Sequence, residues 1–80
     1  MTEDEIAFLH AAVDRVIAIE LKTGEQFFAE VVIVVDQPPT PDVFVLRVTR
    51  QPDGAFLAEG TTGESILLSD IGAVARIPGV

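Results

Sequence analysis

Few side chains in this chain are of a type and spacing that could do chemistry. His10 stands one helical turn before Asp14, a spacing that allows a base-and-orienter pair. No hydroxyl is placed to act as its nucleophile, because Thr23, Ser65 and Ser69 all sit in turn contexts. The expected role of His10 is therefore that of a surface helix residue. Asp36 and Asp42 bracket a proline loop, and Glu59 and Glu64 bracket a glycine connection, so either pair could bring oxygens together for a hard cation. Neither spacing matches a calcium loop, which needs several ligands within about twelve residues. Gly60-Thr61-Thr62-Gly63 carries two glycines but lacks the Lys and the strand-to-helix context of a phosphate cradle. With no Cys and a single His, the chain has neither a thiolate site nor a histidine cage. No catalytic, metal or cofactor site is expected, and the reading is non-enzymatic.

Charge narrows the partners. Thirteen acids oppose five bases, for a net charge of −8. Nucleic-acid affinity rests on cations that neutralise phosphates, and Arg15, Lys22, Arg47, Arg50 and Arg76 are too scattered to form a continuous positive surface. Nucleic acid and anionic membrane are not the expected partners, and solubility is the plain account of the acidity. The start Thr2-Glu3-Asp4-Glu5 is acidic where a signal peptide needs cations, and no run reaches the ~20 apolar residues of a membrane span. A cytoplasmic location is the expectation.

The elements behind these residues follow from periodicity. Thr2 and Glu5 have the spacing of a capping box, and Ile6, Leu9, Val13 and Val16 recur at helical intervals, which predicts a helix over about residues 3–14. From Val16 the period falls to two, with Ile17, Ile19 and Leu21 on one face. Thr23-Gly24-Glu25 is a turn, and residues 26–35 form a second strand whose core face is Phe27, Ala29, Val31, Ile33 and Val35. Pro38, Pro39 and Pro41 stop the pairing and make a stiff connector. A third strand follows over 43–50, with Phe44, Leu46 and Val48 inward, and Gln51-Pro52-Asp53-Gly54 turns the chain. Shorter runs at 55–59, 65–68 and 73–77 complete the strands, with a single helical turn at Ser69-Asp70-Ile71-Gly72. The chain reads as one domain, mainly β, without internal repeats.

That assignment leaves a surplus of apolar residues. Phe28, Val32, Val34, Val43 and Val45 all fall on the nominally outer face, more than scattered surface hydrophobes. The N-terminal helix lies over them, or they form a subunit contact, or the strand register differs from this assignment; they are the candidate interface of a self-associating chain. A pocket at a barrel mouth lined by Phe27, Phe44 and Phe56 is a third possibility, set against an ordinary core role.

In motif order the chain resembles the Sm-like small-barrel superfamily. The residues that carry the likeness are Leu21-Lys22-Thr23-Gly24, then Ala29 where the second strand bends, and Asp36 after it. The resemblance implies a five-stranded, strongly bent Sm-like or SH3-like open barrel with one N-terminal helix. The RNA-contacting positions do not carry over, because Asp36 is followed by Gln37-Pro38-Pro39, and Thr62-Gly63-Glu64 stands where an Arg-Gly-Asp type loop belongs. A narrower likeness, to the Rof-type inhibitors of the Rho transcription terminator, rests on Ile19 to Glu25, Ala29 and Ile66 to Ile71. The expected function is a protein-interaction module that binds itself first. The alternatives are an RNA-binding Sm-like protein, with Arg47, Arg50 and Arg76 converging on a pore, or an acidic regulator of a basic protein partner.

Overall fold

The computed structural model describes residues 1–58, 60 and 63–77. Helix α1 (Glu3–Ala11) starts on the expected box: the Thr2 N–H donates to Glu5 Oε1 at 3.0 Å, and the Glu5 N–H donates to Thr2 Oγ1 at 3.2 Å. It ends three residues before the predicted boundary at 14. Val13 forms an isolated parallel bridge with Val31, and Asp14 takes a left-handed φ of 69°. The turn is held by two backbone hydrogen bonds: the Asp14 N–H donates to the Val31 carbonyl at 2.8 Å, and the Val31 N–H donates to the Arg15 carbonyl at 3.0 Å. Pairing with a strand thus overrides the helical periodicity of Val13.

Six strands follow: β1 (Val16–Leu21), β2 (Gln26–Val35), β3 (Asp42–Arg50), β4 (Phe56–Ala58), β5 (Glu64–Leu67) and β6 (Ile71–Arg76). A 3₁₀ turn, Leu68–Asp70, precedes β6. They form one antiparallel sheet in the order β4-β3-β2-β1-β6, with β5 also paired to β3. Among the described residues no pairing joins β6 to β4 or β5, so the sheet is mainly β and open. The count is six rather than five because two short strands share one edge of β3. β5 pairs with it from Asp42 to Val45, and β4 from Val48 to Arg50. Glu59, Thr61 and Thr62, assigned in sequence to a strand end and a glycine connection, lie outside the described residues.

The core contains Leu9 of α1 with Ile17, Ile19, Ala29, Val31, Val43 and Val45. Its register turns on one residue of β2. Val31 pairs with Val45, but the next pair is Ile33 with Phe44, so Val32 is an extra residue without a partner on β3. A one-residue insertion swaps the faces of everything beyond it. Before the bulge Phe27, Ala29 and Val31 point inward as predicted; after it Val34 packs on the core, and Ile33 and Val35 turn outward.

Candidate functional site

The corrected register reassigns the predicted interface. Val43 and Val45 are 0% exposed and share the core with Leu9. They are therefore core residues and not part of an outer face. Their odd parity faces inward because β3 pairs Val45 with Val31 and Val43 with Val34, both on the core side. Val34 is half-buried against that core, Val32 is half-buried at the bulge, and Phe28 is half-buried further along the sheet.

Of the exposed large apolar side chains, Leu57 (59%) lies on β4 and Met1 precedes α1; the other four are Ile33 (55% exposed), Val35 (43%), Leu67 (42%) and Phe44 (37%). They occupy one face across three strands. Ile33 lies opposite Phe44, which lies opposite Ser65; two residues along, Val35 lies opposite Asp42, which lies opposite Leu67. Four of these six positions are large and apolar, and Asp42 is the single charge among them. The Phe44 ring crosses Gly63, where a Cβ would stand 2.5 Å from the ring and 2.9 Å from the Val45 carbonyl oxygen. Glycine is required there by space and not by backbone angle.

A polar cluster that periodicity did not reveal closes the opposite part of the core face. Arg47 lies over the Phe27 ring at 4.0 Å, donates through Nη1 to Glu25 Oε2 at 3.0 Å, and donates through Nε to Glu64 Oε1. The carboxylates hold the guanidinium charged, raising its pKa, and Arg47 in turn lowers that of Glu25. Gly24, at φ 96°, makes the turn that brings Glu25 there. The arrangement is an ion-pair lid in which one guanidinium meets two carboxylates, leaving a net negative charge.

Other sequence candidates separate. His10 turns away from Asp14 and meets Asp36, Nε2 to Oδ2 at 3.1 Å, tying α1 to the end of β2. That contact, followed by the Gln37 amide, lowers the Asp36 pKa. Among the described residues no three His, Asp or Glu side chains gather to hold a metal. Arg50 sits over the Phe56 ring at 5.6 Å, and Arg76 pairs with Ile17 across β6 and β1. Arg47 and Arg76 share one register row but stand three strands apart, about 14 Å. Phe27, Phe44 and Phe56 stand in three different settings among the described residues: Phe27 lies under Arg47, Phe44 crosses Gly63, and Phe56 packs edge-on to Phe28 with centroids 5.7 Å apart. No helix among the described residues is long and apolar enough to cross a membrane. Comparisons with models of known families, with curated proteins and with solved structures find no match to this chain.

Proposed function

We propose that this chain is a non-enzymatic protein-interaction module on an Sm-like small barrel, and that it self-associates through the outward face of β2, β3 and β5. The observation that carries this reading is the set Ile33, Val35, Phe44 and Leu67, four exposed apolar side chains in adjacent register positions. Charge depletion at the centre, with large apolar and aromatic residues, is the composition of an interface core. The net charge of −8 opposes the approach of two copies, and this patch, with Asp42 its one charge among six positions, adds little local repulsion to that. A stable contact buries about 800 Å² per partner, so the four side chains are its centre and polar neighbours its rim. The Sm-like part of the reading is supported by the N-terminal helix, the strand order and the 3₁₀ turn before the last strand.

The test is solution mass by light scattering for the native chain and for Ile33→Asp/Phe44→Asp, both positions being exposed. A folded variant of lower mass supports the reading; an unchanged mass with a cooperative melt rejects it.

A further inference from the structure

A second apolar surface lies elsewhere on the sheet, and it carries more charge along its flanks than the first. Five side chains form a row on the face opposite the core. Ala75 lies beside Ala18, Ala18 beside Phe28, Phe28 beside Val48, and Val48 beside Ala58. The row spans five strands, about 19 Å, the length of about six extended residues. Ala75, Ala18, Phe28 and Val48 of this row line an open groove of about 620 Å³, within the size of binding clefts. Alanine at 18, 73 and 75 leaves the β1 and β6 end shallow, and Phe28, whose ring packs edge-on to Phe56, stands toward the other end with Val48.

Carboxylates flank the β1–β2 part of the row. Glu20 lies two residues beyond Ala18 on the same face, and Glu30, paired with Val16, lies on the opposite side of the row. Neither makes an ion pair among the described residues. Arg50, the guanidinium on the rim, is drawn over the Phe56 ring at the far end. A second copy of this chain is a poor occupant, because it carries thirteen acids against five bases.

We infer that this groove binds an extended, basic amphipathic segment of a partner protein. Its apolar side chains would lie along the alanine and phenylalanine floor, and its Lys or Arg would meet Glu20 and Glu30. The groove lies on the same sheet face as the self-association patch, with Val48 four residues along β3 from Phe44, but it shares no lining residue with that patch, so either reading can fail alone.

The experiment is fluorescence anisotropy of the full chain with three labelled peptides: Leu alternating with Lys, Leu alternating with Glu, and Ser alternating with Lys. The Leu–Lys peptide should saturate, weaken as salt rises, and bind about tenfold less well to Glu20→Lys/Glu30→Lys. Ala73→Lys, at an exposed position beside Glu20, provides a second variant with the same expected loss. Ile33→Asp/Phe44→Asp should leave this binding unchanged. Equal affinity for the Ser–Lys peptide, equal affinity for the Leu–Glu peptide, or indifference to both groove variants would overturn the inference. So would a mass that shifts in Glu20→Lys/Glu30→Lys without peptide, which would mean a second copy fills the groove.

Discussion

The ring of Phe44 lies across Gly63, so close that no other residue fits at 63 without displacing it. This contact joins the connection before β5 to the outward apolar face and fixes the aromatic side chain at its centre. Gly63→Ala should destabilise the chain by about 1–3 kcal/mol, the usual cost of overpacking, measured as a lower urea midpoint. Adding Phe44→Ala should recover part of that loss. An additive double variant would show that the ring does not rest on residue 63.

The bulge at Val32 makes a sharp prediction about neighbouring residues. Val45→Glu places a charge among Leu9, Val31 and Val43 and should abolish cooperative folding. Phe44→Glu, one position earlier on the exposed face, should fold with a stability change of about 0.5 kcal/mol. Circular dichroism melts of the two variants check the face assignment, and the reverse order of damage would refute it.

Leu9 anchors the helix, being fully buried in the core as α1 packs against β2 and β6. Leu9→Ala should cost about 2–5 kcal/mol, most of the stability of a domain this size, whereas Thr2→Ala should cost about 1 kcal/mol through the lost cap. Denaturant titration separates the two.

Acid should loosen the Arg47 lid in a defined range. Arg47 lowers the Glu25 pKa in the folded chain, so between the folded value and the ordinary 4.5 the unfolded state holds more protons. The contribution is complete above about pH 4.5 and is lost as pH falls through the folded value. Asp36, lowered first by His10 and then by Gln37, follows the same sign below its ordinary 3.8. Melting temperature against pH for the native chain and for Arg47→Met should converge at the acid end; parallel curves down to pH 2 would contradict the assignment.

Local signals in the sequence were reliable where one short segment contains the whole device. The Thr2 and Glu5 box, the Thr23-Gly24 turn, the proline stop and the inward alternation from Ile17 to Val31 all belong to this class. The bulge does not. Val31-Val32-Ile33-Val34-Val35 is apolar throughout, so no alternation marks which residue is the extra one. Its position depends on Arg15 and Asp14 taking the backbone groups of Val31, a contact distant in sequence. One unpaired valine therefore inverts the faces of Ile33, Val34 and Val35, while the pairing of Val45 with Val31 turns Val43 and Val45 inward and leaves Phe44, Leu46 and Val48 on the other face, so three of the five predicted interface residues pack on the core side. The apolar surplus itself was legible, but not the side chains that carry it. The Arg47 lid escaped for a similar reason, since Glu25 and Glu64 meet it only through the β2–β3–β5 pairing.

The most direct measurement is solution mass by light scattering across a concentration series, for the native chain and for Ile33→Asp/Phe44→Asp. Self-association through the β2–β3–β5 face predicts an oligomer for the native chain and a folded species of lower mass for the variant. A native chain that stays monomeric at every concentration, or a variant that keeps the native mass while melting cooperatively, would contradict it.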